Sequence, residues 1–320
     1  MPENSAPVIV RVTRGVVESE HLVDAVIIGA DGPLIAAGDG ARTVLPRSAI
    51  KPIQILPLLE TGAADHFDVS DDEIALGSAS HSAQPEHVAA VDGWLHRIGL
   101  DRDALECGAG RPLSTTVADD LLRGGHDFEP IHNCCSGKHT AFLTVAQHLG
   151  HDPHGYIERD HPVQQLVAEA LARYTGVDTT DLAYGIDGCG IPTFGFELDA
   201  LARSMQRLVT SEDSAARRVS EALPGRALLL SGTDRQEWRV EAHATEPFFV
   251  KGGAEGVFMG ALPQRGIGFA LKARDGAERA ANAALARLLV EQGAIDPTLL
   301  ATKIHNRAGT VVGTTEAYLP

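Results

Sequence analysis

Cysteine is scarce in this chain, at four in 320 residues. That is too few to staple a fold of this length, so a disulfide scaffold is excluded. The thiols of Cys107, Cys134, Cys135 and Cys189 are expected to be free, metal-bound or catalytic. Long apolar runs are also missing. No stretch reaches the about 18 residues that a membrane-spanning helix needs, so no membrane partner is expected. The opening Met1-Pro2-Glu3-Asn4 is polar and has no basic stretch followed by an apolar one. A cytoplasmic protein is expected. Positive charge is in deficit, with 27 Lys+Arg against 43 Asp+Glu and a net charge of −16. That argues against nucleic acid and anionic membrane as partners. Internal repeats, low-complexity tracts and an obvious linker are absent as well.

What is present is a soluble globular composition, 44% hydrophobic and 22% charged. Strand patterns open the chain at Val8–Val12, Val23–Ile28 and Leu34–Ala37, separated by Gly/Asp turns. Ser48 to Glu60 reads as a helix kinked or broken by Pro52 and Pro57. Further helices are expected over Glu86–Ile98 (capped by Ser82, with Pro85 in its first turn), Ser136–Leu149, His161–Tyr174, Phe194–Val209, Ala215–Leu223 and Ala277–Gln292. Leu182–Ile186 is a short strand. Val257–Leu262 and Ile267–Ala273 form a hairpin, and Gly309–Tyr318 a final strand. Strands at both ends with helices between them do not alternate as a doubly wound sheet requires. One α+β domain over residues 1–320 is expected. Its sheet comes from about 1–45 and 225–320, and its helical region from about 46–224.

Four stretches could carry chemistry. In Arg47-Ser48-Ala49-Ile50-Lys51, a Ser-x-x-Lys spacing on a helix sets Ser48 and Lys51 about one turn apart on one face. A serine hydroxyl needs a base to become a nucleophile, and a lysine amine serves only if its pKa falls from about 10.4. The competing reading is a capping serine followed by a solvated lysine. Gly77-Ser78-Ala79-Ser80-His81-Ser82-Ala83-Gln84-Pro85-Glu86-His87 places three serines and two histidines just before a helix, where backbone N–H groups favour anions. It reads equally as a capped turn. Cys135 and Lys138 share a helix face, with His139 beside them, and Cys189 sits in the Gly-flanked turn Asp187-Gly188-Cys189-Gly190. Two thiolates with nitrogen donors suit Zn²⁺ and suit Mg²⁺ or Ca²⁺ poorly. A Cys135 nucleophile and inert buried thiols are the alternatives. Finally, Lys251 follows the apolar run Phe248-Phe249-Val250 and precedes a glycine pair, either poised at a pocket or in an ordinary turn.

In this order the stretches "RSAIKPIQ", "SASHSAQPEH", "HNCCSGKHTAFL", "DGCGIPTF" and "KGGAEGVF" resemble the asparaginase II family, which is unrelated in sequence to the bacterial and plant-type asparaginases. The resemblance covers essentially the whole chain. It implies a fold like that of serine β-lactamases and penicillin-binding proteins, with an antiparallel sheet from both termini packed against a helical region. It implies two Ser–Lys pairs, Ser48 with Lys51 and Ser80 with Lys251, and a zinc held by Cys135, Lys138 and Cys189. Arg47, His81, His139 and Asp187 are expected to contact substrate. Two departures stand out. No Ser-Asp-Asn triplet occurs, and Ser231-Gly232-Thr233-Asp234-Arg235-Gln236-Glu237-Trp238 differs from the Gly-Thr-Gly-Arg-Phe-Asp-like run of the family.

The expected activity is hydrolysis of L-asparagine to L-aspartate and ammonia. Ser48 is the expected nucleophile, Lys51 its base, and zinc an orienting neighbour. A zinc- or cysteine-dependent hydrolase of another small amide is an alternative, and glutamine stays open as substrate because one methylene in a pocket is worth only about 1–3 kcal/mol. A non-catalytic amino-acid binder is another. A homodimer is the expected state from the commonness of two-fold assemblies.

Overall fold

The computed structural model describes residues 5–320. The chain divides into two compact units. The first, a sheet unit, comprises the chain through Ala49 with Gly195–Thr210 and Arg239–Pro320. The second, a helical unit, comprises Ile50–Phe194 and Ser211–Trp238.

The sheet unit holds an eight-stranded sheet, antiparallel at every pairing. Seven strands run in the order Ala301–His305, Val311–Tyr318, Val8–Arg14, Val16–Gly29, Ile267–Ala273, Val257–Leu262 and Phe249–Gly253. The eighth, Gly32–Ala37, also pairs with Val16–Gly29. The two ends of the chain meet inside the sheet, with Ile9 opposite Tyr318 and Val12 opposite Thr315. Alternation sets that register: Val8, Val10 and Val12 are buried while Ile9, Arg11 and Thr13 are only half-buried. Slipping by one residue would turn the valines outward. The helix Glu278–Glu291 lays Ala280, Ala284, Leu285, Leu288 and Leu289 into the core beside these strands. The α+β arrangement expected from the sequence, with strands from both termini, is the one found.

A buried carboxylate ties this unit together. Asp24 is fully buried on the long second strand. Its oxygens accept from Arg42 Nε at 2.6 Å, Arg274 Nη2 at 2.7 Å and the Asp39 N–H at 2.9 Å. Burial alone would raise its pKa, but the two guanidinium groups and the amide outweigh it and hold the carboxyl below its usual 3.8.

Several boundaries differ from the sequence reading. The stretch after Pro46 is a 3₁₀ turn, Arg47–Ile50, followed by two short helices, Lys51–Gln54 and Leu56–Glu60, each with proline in its first turn. Ser48 thus lies inside the turn and caps neither helix. The helix Pro85–Arg97 is capped by Gln84, whose N–H donates to His87 Nδ1 at 3.1 Å, and not by Ser82. The expected helix from Phe194 begins at Leu198, after the short strands Pro192–Phe194 and Phe196–Glu197. Lys251 lies within the strand Phe249–Gly253, not beyond its end. Unread in the sequence were the helices Asp71–Gly77 and Thr115–Arg123 and the strand Ala301–His305. No helix of the described residues is long and apolar enough to cross a membrane.

Candidate active site

Three segments of the helical unit converge. The first is the helix Ser136–Leu149, buried from Ser136 through Ala146. It comes close to the helix Asp71–Gly77 because residue 137 is glycine. A Cβ there would lie 2.9 Å from the Leu76 carbonyl carbon and closer still to its oxygen. Cys135 stands at the cap of this helix, with Lys138 and His139 in its first turn. The second is the buried run Ala79–Ser82, pinned by Ser80 N–H to Leu230 O at 2.9 Å and His81 N–H to Cys134 O at 3.1 Å. The third is the short helix that starts at Lys51, a residue with no exposure.

Lys51 joins them. Its Nζ donates to the Ala79 carbonyl and lies 3.2 Å from Ser80 Oγ and 3.2 Å from Cys135 Sγ. Three acceptors thus match the three hydrogens of an ammonium. A few residues along, Lys138 Nζ lies 3.1 Å from Cys189 Sγ. Two lysines and two thiols are therefore interleaved in a buried cluster, with Cys134 Sγ 3.8 Å from Cys135 Sγ.

The two thiols beside the lysines differ in acidity. Hydrogen bonds from Cys134 and Cys189, helped by Lys51 and Lys138, overcome burial and draw Cys135 well below the ordinary thiol range. The same contact with Cys135, together with burial, pushes Cys189 up. Of the two, Cys135 is the more acidic thiol. Burial would lower Lys138, but Cys189, Cys135 and Asp187 outweigh it and raise its pKa. Cys107 is pushed up to about 12 by burial, and its S–H faces Pro130 O at 3.4 Å, so it stays an inert thiol.

The other expected site residues fall as follows. His81 is fully buried; its Nδ1 accepts the Ala83 N–H at 3.1 Å and its Nε2 lies 2.8 Å from Ser136 Oγ. Both nitrogens are thereby engaged within the protein. Burial, with His87 and Lys51 nearby, keeps the ring neutral. His139 is equally buried, and burial with the adjacent Lys138 holds it well below the usual imidazole range. Its Nδ1 meets the hydroxyl of Tyr156 at 2.7 Å. Asp187 is half-buried and accepts from the Gly188 N–H at 2.5 Å. Arg47, Ser48 and Lys251 belong to the sheet unit. Arg47 adopts a left-handed φ of 50°, unusual for a residue with a side chain. Ser48 is half-buried. Lys251 is fully buried and donates to Gly252 O at 2.6 Å. Its strand runs against the Ser48 turn, since a Cβ on Gly253 would sit 2.5 Å from Pro46 O.

In the departing segment, Ser82 Oγ lies 2.6 Å from Ser231 O and 3.0 Å from Asp234 Oδ1, and Gln84 holds both the N–H and the hydroxyl of Thr233. Asp234 is thus tied to the Ser80–Gln84 run. Tyr156 and Glu106, which complete the surroundings of His139, escaped the sequence reading because both lie outside any recognisable motif.

Among the described residues no group of three His, Cys, Asp or Glu side chains is gathered for a metal. The donors here are two thiols and an amine, a set that matches zinc in kind. It fits zinc only with Lys138 as a ligand, and only if the proton on Lys138 and the proton on Cys189 are displaced.

A model of the L-asparaginase II family matches residues 10–317. The chain belongs to the L-asparaginase II family. It is thereby a member of an amidohydrolase family. A search of curated proteins finds no match. Solved structures that resemble it include one described as Mglu in its native form, at 15% identity and TM-score 0.46, covering 85% of this chain. The chain spans 64% of that structure's length. A β-lactamase from Mycobacterium bovis matches at 15% identity and TM-score 0.43, over 85% of this chain and 95% of its own. A probable glutaminase from Bacillus subtilis, complexed with 6-diazo-5-oxo-L-norleucine, matches at 13% identity and TM-score 0.41, over 85% and 84%.

Proposed function

We propose that this L-asparaginase II family member hydrolyses L-asparagine to L-aspartate and ammonia through a serine ester. The observation that carries the reading is the buried Lys51 amine, three residues after Ser48 and 3.2 Å from Ser80 Oγ. A desolvated lysine within reach of a hydroxyl is the pairing that serine–lysine catalysis needs.

In this reading Ser48 Oγ attacks the side-chain amide carbon as its proton passes to Lys51, directly or through Ser80. For that, Lys51 gives up one of its three hydrogens. The tetrahedral intermediate expels ammonia, which takes the proton back from Lys51. Water then hydrolyses the β-aspartyl ester by the same route in reverse, releasing L-aspartate and restoring Ser48. Lys251 holds a second amine in the sheet unit, in the role that the family pattern gives it beside Ser80. Cys135, Lys138 and Cys189 would hold zinc. When bound, the ion would supply mild Lewis acidity that orients an oxygen of the substrate. The reading includes a cytoplasmic homodimer, which sedimentation of the purified protein checks.

The deciding experiment is ammonia release from L-asparagine by wild type, Ser48→Ala and Lys51→Met, each with and without chelator. Near-total loss in both variants is expected. Substantial activity in Ser48→Ala would sink the serine ester. One observation favours a second reading, a cysteine amidase: Cys135 is the activated thiolate, 3.2 Å from Lys51. Trapping with 6-diazo-5-oxo-L-norleucine followed by peptide mapping separates them, since the serine route labels Ser48 and the cysteine route Cys135.

A further inference from the structure

Residues 79–84, which carry Ser80, belong to no helix or strand, yet 79–83 are buried. Ala83 adopts a left-handed φ of 57°, which a residue with a side chain keeps only where its surroundings impose it. Buried backbone of this kind needs partners from elsewhere in the fold. Cys134 supplies one, and residues 228–234 supply a row of them. The Ser80 N–H donates to Leu230 O at 2.9 Å. Ser82 Oγ donates to Ser231 O at 2.6 Å. Gln84 grips Thr233 twice, Oε1 accepting the N–H and Nε2 donating to the hydroxyl, both at 3.0 Å. His87, in the first turn of the helix Pro85–Arg97, adds Nε2 at 2.7 Å from Leu228 O, while its Nδ1 takes the Gln84 N–H at 3.1 Å. A backbone N–H only donates and a carbonyl only accepts, so this ring is neutral with its hydrogen on Nε2.

The two segments approach this closely because residue 232 is glycine. Its φ is +109°, and a Cβ there would lie 2.5 Å from Ser82 Oγ, 2.7 Å from Ser82 Cβ and 2.8 Å from Gln84 Oε1. The fastening reaches the chemistry through Lys51. Its Nζ donates to Ala79 O and lies 3.2 Å from Ser80 Oγ, so the place of this run sets the Lys51–Ser80 pair. A shift of about 1 Å away from Lys51 would take Ser80 Oγ out of hydrogen-bond reach.

We propose that Ser82, Gln84 and His87 are positioning residues: they clamp this run to residues 228–234 and so hold Ser80 Oγ against Lys51, with Gly232 admitting the clamp. The catalytic half rests on the serine–lysine reading above; the clamp itself does not. The clamp moves no proton. It supplies orientation, and a reacting group misplaced by about 1 Å costs about 100-fold in rate.

Amide hydrogen exchange followed by NMR reads the clamp without any activity. In Ser82→Ala, Gln84→Ala and Gly232→Ala the Ser80 amide should exchange about 10-fold faster or more, while the Leu143 amide, inside the helix Ser136–Leu149, keeps its wild-type rate. Gln84 is only half-buried, so its variant is the one certain to be read against a folded background. Unchanged Ser80 exchange in Gln84→Ala, or equal acceleration of both amides there, overturns the clamp. Side-chain ¹H–¹⁵N correlation NMR should show His87 as Nε2–H, and an Nδ1–H signal overturns its part. Kinetics with L-asparagine tests the catalytic half. Gln84→Ala should lower kcat about 10-fold with KM little changed, and Gln84→Glu, which keeps the acceptor for the Thr233 N–H, should recover part of that loss. In a Ser80→Ala background Gln84→Ala should cost nothing further, because the group it positions is gone. An equal cost in both backgrounds overturns action through Ser80. If wild type releases no ammonia from asparagine, the catalytic half falls with the serine–lysine reading, and Ser80 exchange alone decides the clamp.

Discussion

Gly137→Ala is the sharpest test of how the site is positioned. Even in a helix interior alanine is favoured over glycine by only about 1 kcal/mol, because glycine loses more backbone freedom on folding, and Gly137, second in its helix, stands to gain no more than that. At 137 the added methyl would meet the Leu76 carbonyl, with the carbon at 2.9 Å and the oxygen nearer. That neighbour is backbone inside a helix, so it has no rotamer to move to. Overpacking of this kind costs ~1–3 kcal/mol, and the upper end applies where backbone must shift. Setting ~3 against ~1 leaves the variant destabilised by roughly 2 kcal/mol. Gly93→Ala is the internal control. Gly93 lies exposed inside the helix Pro85–Arg97, and a Cβ there meets nothing within 4 Å. The same substitution there should stabilise by up to ~1 kcal/mol. Urea unfolding followed by circular dichroism gives both midpoints. Opposite signs are expected. A Gly137→Ala midpoint at or above wild type would refute the claim that close helix contact at Leu76 sets the position of Cys135, Lys138 and His139.

Three further outcomes are expected. Asp24→Asn should cost about 3 kcal/mol at pH 7, because it leaves Arg42 and Arg274 facing a neutral group. The folded-state pKa of Asp24 lies below 3.8, so its contribution is full above that value and fades as pH falls through the folded pKa; urea melts of wild type and variant should converge toward pH 2. Ser80→Ala should lower asparagine turnover about 100-fold while stability holds, and steady-state ammonia release reads this directly. Zinc uptake near pH 7 should release two protons per ion, measured by calorimetry in buffers of different ionisation enthalpy; fewer would count against Lys138 or Cys189 as a ligand.

The sheet was largely legible because half-buried strands write their period into the sequence: Val8, Val10 and Val12 alternate with Ile9, Arg11 and Thr13. The strand Ala301–His305 was not, since Ala-Thr-Lys-Ile-His carries no apolar run and its pairing with Val311–Tyr318 is a tertiary fact. The helix Asp71–Gly77 was legible and went unread. Ser70 and Glu73 form a capping box, an S-x-x-E signal plain in the sequence, but at seven residues the helix is too short to show a period. In the site, local spacing sufficed for Cys135 with Lys138. Spacing says nothing about which partner a long side chain reaches. Lys51 was paired with Ser48 three residues away, whereas its Nζ lies against Ser80 and Cys135, 29 and 84 residues on. Tyr156 was invisible for the same reason. It meets a backbone N–H and a histidine brought together only by folding.

Burying lysines among thiols looks costly until the charges are counted. Without metal, the downward pull on Cys135 and the upward pull on Lys138 favour a thiolate facing an ammonium, with the proton kept on Cys189. With zinc held by Cys135, Lys138 and Cys189, two positive charges meet two thiolates and a neutral amine. Lys51 stands beside the cluster in both states, so the two sums are equal. Exchange of one zinc ion for two protons would therefore leave the buried charge unchanged, and would add no uncompensated charge of the kind that buried sites tolerate least. The Lys138–Cys189 contact at 3.1 Å would then be a proton-filled version of the proposed zinc site. A histidine in place of Lys138 would break that equality, since a neutral imidazole removes a positive charge from the metal-free cluster and none from the zinc-bound one. An amine ligand would have a physical reason here: it is the nitrogen donor that stays cationic at neutral pH until a metal displaces its proton.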